Sequence, residues 1–123
     1  MSRVDIPLKI SAHTATTYTF TKGDYGAIHT NRGNAGNIAY TLPSAATAGA
    51  GAYLDVFCVA AGTVTVTCDE GIVTLNNAAA DSVAWSTASE IIGNSGKFVS
   101  DGTSWLFHNH TAAEAATTTV GTD

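Results

Sequence analysis

Residues 53–68 read YLDVFCVAAGTVTVTC, and this stretch decides the fold class. Its second half alternates threonine with valine or cysteine, which places the hydroxyls on one face of a strand and the apolar side chains on the other. That period-two pattern is typical of an antiparallel strand with one face in solvent. Ala61-Gly62 predicts a two-residue loop, so we expect residues 53–60 and 63–68 to pair as a hairpin.

Similar strand signals recur over the rest of the chain. Residues 38–42 alternate apolar and polar side chains, and Val83 and Trp85 lie on one face of another short run. Asp101-Gly102, between two further apolar runs, is the strongest hairpin signal because glycine adopts positive φ without cost. About nine or ten strands at spacings of roughly 8–12 residues predict an all-β fold, an antiparallel β-sandwich or jelly roll.

A length of 123 residues fits one domain with short extensions. We expect an extended N-terminal arm over residues 1–17, a β-sandwich domain over residues 18–110, and a short flexible C-terminal tail over residues 111–123. The tail is assigned because its residues are small and polar, with only Val120 to bury. Large apolar residues are few, so association with other copies or a scaffold would supply burial that one copy lacks.

The arm is the candidate contact site. Ile6, Leu8 and Ile10 alternate with other residues, which suits a strand with one apolar face, and Pro7 restricts that strand to the edge of a sheet. An edge strand at a chain end is suited to joining a neighbour's sheet. The residues expected to contact a partner surface or another subunit are Arg3, Ile6, Leu8, Lys9 and Ile10.

The charge of the chain argues against nucleic-acid and membrane partners. The net charge is −5, only 12% of the residues are charged, and Lys97 is the single basic residue after Arg32. A protein that binds duplex nucleic acid needs a basic face, which this sequence lacks. The most apolar stretch, residues 45–62, contains Asp55 and is a poor candidate for a membrane span. The N-terminal residues lack the apolar core of a secretory signal, so we expect synthesis in a cytoplasm.

Little in the sequence suggests catalysis. It contains no nucleophile elbow, phosphate-binding loop, dinucleotide fingerprint or zinc-protease motif. The adjacent acids Asp69-Glu70 do not provide the facing carboxylates that glycoside hydrolysis requires. Cys58 and Cys68 are too few for a disulfide framework, and the expected hairpin puts them on opposite faces, so we predict two reduced thiols that serve packing. We predict no enzymatic activity and no cofactor.

His108-Asn109-His110 is the one arrangement that bears on metal binding. Residues i and i+2 of a strand point to the same side, so both imidazoles can face one ion, and three chains around an axis would supply six. Two ligands do not complete a site, and a polar strand end explains the same residues, so we predict no metal and keep His108 and His110 as candidates only. Trp85 and Trp105 fit a sugar-stacking platform or the core, and the scarcity of other large side chains favours the core.

The order of several short motifs is similar to that of β-domains in bacteriophage virion proteins. The resemblance covers about residues 17–108 and implies a structural module of phage capsids or tails, usually trimeric and without catalytic residues. The motifs, in chain order, are TYTF (17–20), KGDYG (22–26), TLPSA (41–45), AYLDVFCV (52–59), TVTVT (63–67) and KFVSDGTSWLFH (97–108).

Within that resemblance, a domain that makes up nearly the whole chain looks most like a capsid decoration (cement) protein. Such a protein would bind the major capsid protein on the outer surface of the virion and stabilise the head by bridging capsomers. We expect a homotrimer whose arm lies against the shell or a neighbouring copy. Two alternatives stay open. One is a tail fibre or spike domain that binds a host receptor or surface glycan, and the other is a metal-tipped spike that uses His108 and His110.

Overall fold

The computed structural model describes residues 9–74, 77–86, 90–110 and 118–121, which form a curled mixed sheet, a half-barrel. Strands make up 53% of the structure, and within these ranges the helical segments are a 3₁₀ turn at Lys22–Asp24 and α1 at Ala45–Ala48. The strands are β1 (Lys9–Ala12), β2 (Thr17–Thr19), β3 (Ala27–Thr30), β4 (Ile38–Thr41), β5 (Tyr53–Phe57), β6 (Val64–Thr74), β7 (Asn77–Trp85), β8 (Ser95–Ser100), β9 (Trp105–Asn109) and β10 (Thr118–Gly121).

Two parallel ladders make up most of the sheet, and the chain alternates between them. β1, β3 and β5 form the first ladder, in which Ile10 and Ile28 are register partners. β2, β4 and β6 form the second, in which Thr17 and Ala39 are register partners. Each turn of the chain therefore adds one strand to each ladder, as in a short solenoid.

The antiparallel hairpin β8–β9 joins the two ladders. β8 pairs with β5, and β9 runs parallel to β6, which also pairs with β7. β1 and β2 are consequently the two ends of the strand path β1-β3-β5-β8-β9-β6-β4-β2. The hairpin predicted at Asp101-Gly102 is confirmed, because Ser100 is the register partner of Trp105 and Asp101 Oδ1 accepts a 2.8 Å hydrogen bond from the Ser104 N–H.

The core lies between the two ladders and follows the alternation along each strand. In the first half of β6, Val64 and Val66 are buried, and Thr65 and Thr67 are half buried, as the period-two pattern predicts. Cys58 and Cys68 are free thiols, as predicted, but both are buried in the same core and do not lie on opposite faces as the expected hairpin required. Burial raises the pKa of the Cys58 thiol to about 12, which keeps it protonated. The largest fully buried side chains are Trp85, Trp105, Tyr40, Phe20 and Phe98.

The all-β prediction is confirmed, but the antiparallel sandwich or jelly roll is not. Five of the nine strand pairings among the described residues are parallel. The hairpin predicted for residues 53–68 is wrong, because β5 pairs with β3 and β8, whereas β6 pairs with β4, β7 and β9. Alternation predicts which side chains point inward, and it carries no information about which strand lies alongside.

Asn31 provides the physical reason that residues 58–63 cross between the ladders instead of turning back. Its buried carboxamide accepts hydrogen bonds from the N–H groups of Val59 (2.8 Å) and Ala60 (3.0 Å), and it donates to the Ala60 carbonyl (3.2 Å). The preceding crossover also lies against Gly62, where an added Cβ would stand 1.9 Å from the Gly36 carbonyl oxygen. Successive crossovers are therefore stacked on one another, which a two-residue turn does not allow.

Parts of the predicted arm and tail belong to the sheet. Residues 9–12 of the arm form the edge strand β1, and residues 118–121 of the tail form β10 beside β7. Residues 1–8, 111–117 and 122–123 lie outside the described residues. Across the described ranges, no helix has the length and hydropathy that crossing a bilayer requires.

Candidate functional site

The outward side of the first ladder and the β8–β9 hairpin carries the exposed apolar surface. In the described part of the chain, four large apolar side chains are exposed: Ile10 (65%), Tyr53 (40%), Phe57 (39%) and Ile92 (66%). Three of them lie on β1 and β5. The fourth lies in the loop entering β8, where the next residue, Gly93, donates to the Cys58 carbonyl at the end of β5. We call the outward side of β1, β3, β5, β8 and β9, with Ile92, the apolar face.

Strand alternation places these side chains together. Leu54 and Val56 of β5 are buried, so the residues between and beside them point outward. One row across the sheet joins the register partners Ile10, Ile28, Asp55, Lys97 and His108, and a second joins Tyr53, Val99 and Leu106. The apolar face is thus a continuous surface of five adjacent strands.

The charges on the apolar face balance. Asp55 lies opposite Lys97 in the register of β5 and β8. The Lys97 ammonium stands 5.1 Å from the centroid of the Tyr53 ring, a distance at which a cation is attracted to an aromatic face. The single basic residue that follows Arg32 in the sequence is therefore held on this surface, beside the one carboxylate of these rows.

The outward side of the second ladder is different in chemistry. Two rows of register partners cross β2, β4, β6 and β7, and their members are half buried or exposed threonine, alanine and serine. The first row is Thr17, Ala39, Thr65 and Ala84, and the second is Thr19, Thr41, Thr67 and Ser82. We call this surface the threonine face; hydroxyls satisfied by water explain it without a ligand.

A histidine pair joins the end of β1 to β3. His29 is fully buried, and its Nε2 donates to the Asp24 carbonyl oxygen at 2.8 Å, because a carbonyl only accepts. His29 Nδ1 is therefore the acceptor in the neutral ring, and it lies 2.8 Å from His13 Nε2, which donates to it. The pair accommodates one added proton, on His13 Nδ1. A second proton would place two N–H groups against each other.

The Asp24 side chain completes this cluster. Its carboxylate accepts from the Tyr18 hydroxyl (2.8 and 2.9 Å) and from the Thr21 N–H (2.7 Å). Burial works to raise the pKa of the Asp24 carboxyl, but these hydrogen bonds and His29 outweigh it and hold the pKa below its ordinary value. Burial, and secondly the neighbouring His29, lower the pKa of His13.

Aromatic rings pack around this cluster. Tyr18 packs 4.2 Å from the His13 ring between centroids, and Phe20 and Tyr40 surround the same pair. Within the described residues, the two imidazoles are hydrogen-bonded to each other and to the Asp24 carbonyl, and no hydroxyl or thiol is hydrogen-bonded to either ring. The order of residues alone does not reveal His13, Asp24 and His29 as a group. No local motif marks them, because parallel pairing brings them together.

An open groove of about 550 Å³ lies at one end of the sheet. Tyr25, whose ring packs 6.2 Å from that of buried Trp105, forms part of its wall, and burial, followed by Asp24, raises the pKa of the Tyr25 phenol. The groove is mostly apolar with a few polar groups, as small-ligand sites are. Its lining residues are Phe20, Thr21, Lys22, Tyr25, Pro43, Thr47 and Ala48.

The structure places the predicted contact residues only in part. Lys9 and Ile10 lie exposed on β1, where Lys9 Nζ donates to the Gly23 carbonyl at 2.7 Å; Arg3, Ile6 and Leu8 lie outside the described residues.

The structure also places the candidate metal ligands and the two tryptophans. His108 and His110 are exposed at the end of β9, and no group of three or more potential metal-ligating side chains is found among residues whose placement is described. Trp85 and Trp105 are both fully buried, and Trp105 Nε1 donates to the Pro43 carbonyl at 2.8 Å. The prediction that the tryptophans lie in the core is therefore confirmed, and neither ring is exposed to stack on a sugar.

Comparison of the sequence with family models and curated protein sequences identifies no relative. No protein-family model matches the chain, and no curated protein sequence matches it either. Its function therefore has to be inferred from the chemistry of its surfaces.

Proposed function

We propose that this chain is a non-enzymatic structural protein of a bacteriophage particle, a capsid decoration protein that binds the outer capsid surface and bridges capsomers. The observation that supports this proposal is the apolar face, where three of the four exposed large apolar side chains of the described residues lie on β1 and β5, and the fourth, Ile92, lies in the loop bonded to the end of β5. A contiguous exposed apolar surface rimmed by polar groups is typical of a protein-binding surface. The similarity of the motif order to that of phage virion domains supports a phage particle as the place where this surface acts.

The energetics of the apolar face suit adhesion by many copies. The exposed fractions of its four large side chains together equal about two complete side chains. Complete burial of one such side chain contributes about 1.5–3 kcal/mol, so covering the face contributes about 3–6 kcal/mol. Association entropy offsets most of this for a single contact. A trimer on a lattice multiplies the contacts, and avidity then provides stable binding without a deep pocket.

Self-association is the first use of the apolar face. The chain carries a net charge of −5, so copies repel wherever their acidic surfaces approach. The apolar face has one carboxylate and one ammonium in register, so two copies can meet there without bringing acids together. We therefore assign homotrimer formation to this face, and binding to the major capsid protein to the N-terminal arm and the rim around it.

The test compares variants of the two outward faces. Phe57→Ser on the apolar face is expected to shift the protein from trimer to monomer in analytical ultracentrifugation and to lower its co-sedimentation with phage heads. Thr41→Ser, which introduces the same residue at an exposed position of the threonine face, is expected to alter neither. Electron microscopy of labelled virions locates the wild-type protein. Label confined to the tail, or a monomeric wild type without affinity for heads, would contradict the proposal.

The groove favours a second candidate function, a tail fibre or spike domain that binds a surface glycan. An aromatic wall at Tyr25 and a cation at Lys22 are suited to a sugar ring that carries an acidic group. A glycan array tests this directly. Binding to acidic glycans that is lost in Lys22→Ala and kept in Lys97→Ala would favour the appendage function over decoration.

A further inference from the structure

We infer that the outer edge of β3 is a binding site for the N-terminal strand of a second copy, so that neighbouring chains exchange β1. Residues 9–13 of one chain would leave their own β3 and occupy the same place on β3 of its neighbour. The inference takes one premise from the proposed function: chains bound to the same capsid lattice lie close enough to exchange strands. Its structural basis is independent of which particle carries the chain.

β1 contributes little to the core. Lys9, Ile10 and Ala12 are exposed, Ser11 is half buried, and none of the four belongs to the buried cluster. β4 shows the contrast within the same sheet, since two of its four residues are almost fully buried. β1 therefore adds few side chains to the core, and the segment 9–13 is attached by hydrogen bonds and by the contacts of the His13 ring with Tyr18, Phe20 and Tyr40.

The hydrogen bonds that hold residues 9–13 all go to one segment, residues 23–30. The backbone ladder aligns Lys9 with Ala27 through Ala12 with Thr30, and the His13 N–H donates to the Thr30 carbonyl at 2.9 Å. At one end the Lys9 ammonium donates to the Gly23 carbonyl, and at the other His13 Nε2 donates to His29 Nδ1.

All of these bonds lie between residues 9–13 and residues 23–30, so the same strand from a second copy can make every one of them. The occupant of the site is therefore known: it is the strand already seated there. Lys9 and His13, four residues apart, fix its register.

The link that follows β1 is suited to act as a hinge. Thr14, Ala15 and Thr16 are exposed, and the Ala15 carbonyl accepts one exposed hydrogen bond of 3.3 Å from the Asn34 side chain. The sheet holds the chain again at Thr16, whose carbonyl accepts from the Ala39 N–H at 2.9 Å. An extended chain spans about 3.3 Å per residue. Residues 9–16 swung outward would thus reach roughly 25 Å beyond β2, enough to cross an interface to an adjacent subunit. Exchange of an identical element makes the same bonds in both states, which gives it a low cost.

Two full-length variants test the exchange directly. Ile10 and Ile28 are register partners on β1 and β3, so Ile10→Cys and Ile28→Cys place thiols on adjacent strands. When the two variants are mixed under mild oxidation, exchange is expected to yield a disulfide-linked dimer that contains one chain of each. The native thiols of Cys58 and Cys68 are expected not to form disulfides, because both are buried and their pKa values are raised.

Controls separate exchange from random collision and from poor geometry. The double variant Ile10→Cys/Ile28→Cys, kept dilute, shows that the two thiols can bond within one chain. Lys97→Cys presents a thiol in the same row of the apolar face, two strands beyond Ile28, so its mixture with Ile10→Cys reports contact between apolar faces without exchange. Exchange is expected to give more linked dimer with Ile28→Cys than with Lys97→Cys. A mixture of Ile10→Cys and Ile28→Cys without linked dimer, while the double variant closes within the chain, would overturn the inference.

The histidine pair sets the rate of exchange. His13→Phe keeps an aromatic ring against Tyr18 and removes the donor to His29, whose buried Nδ1 is then unpaired. Loss of about 1 kcal/mol predicts exchange about fivefold faster. His110→Phe, at an exposed site that follows β9 and lies outside the rows of the apolar face, is expected to leave the rate unchanged. Equal rates in the two variants would refute the anchoring role. If the protein exchanged strands but did not bind phage heads, the proposed decoration function would be contradicted and the exchange inference would stand.

Discussion

Replacement of Asn31 by alanine tests the crossover architecture more directly than any other single change. In the structure the Asn31 side chain makes three hydrogen bonds to backbone groups of residues 59–60. In the hairpin that the sequence suggests, residues 58–63 would turn on themselves and would not need it. The two arrangements therefore predict different costs for Asn31→Ala.

The magnitude follows from the number of bonds. Each intramolecular hydrogen bond contributes about 1 kcal/mol net, and a buried group left unpaired costs about 1–3 kcal/mol. Losing three bonds at a residue that is 1% exposed predicts a loss of about 3 kcal/mol in the free energy of unfolding. For a domain of this size that corresponds to a fall of about 10 °C in Tm.

Thermal and urea unfolding, followed by circular dichroism, measure the effect. Asn37→Ala is the matched control, because Asn37 is exposed and its side chain accepts one hydrogen bond, from the Thr63 N–H at 3.0 Å. We expect its cost to stay below about 1 kcal/mol. If Asn31→Ala shifted Tm no more than Asn37→Ala, residues 58–63 would not be held as a crossover, and the parallel ladders would be in doubt.

Two further predictions concern the histidine pair and the crossover stack. Because the folded-state pKa of His13 is lowered, the unfolded chain binds this proton more readily. The contribution of His13 to stability is then complete above about pH 6.5 and falls as pH drops toward the folded-state pKa. Urea unfolding midpoints at pH 8 and pH 5 measure this fall. If the midpoint of His13→Phe changed with pH as much as that of the wild type, the fall would not come from His13. Gly62→Ala places a Cβ 1.9 Å from the Gly36 carbonyl oxygen and is expected to cost more than about 2 kcal/mol. Gly23→Ala, with nothing within 4 Å of the added Cβ, is its control, and similar Tm values for the two would argue against the stacking.

The sequence by itself determined the strands and their inward faces. Thr/Val alternation in β6 and the Asp101-Gly102 turn are local signals, because side-chain direction in a strand repeats every two residues and turn geometry depends on a few adjacent residues. The same local reasoning placed Trp85 and Trp105 in the core and kept Cys58 as a thiol. These features need no knowledge of which strands are neighbours.

Tertiary structure alone decided the neighbours and the site. The hairpin expected at Ala61-Gly62 did not form, because Asn31, about thirty residues upstream, holds that loop as a crossover. His13 meets His29 for the same reason, since parallel pairing of β1 with β3 closes sixteen residues of separation. Pairing energy comes from contacts between segments distant in the chain, so a pattern within one segment leaves the partner open.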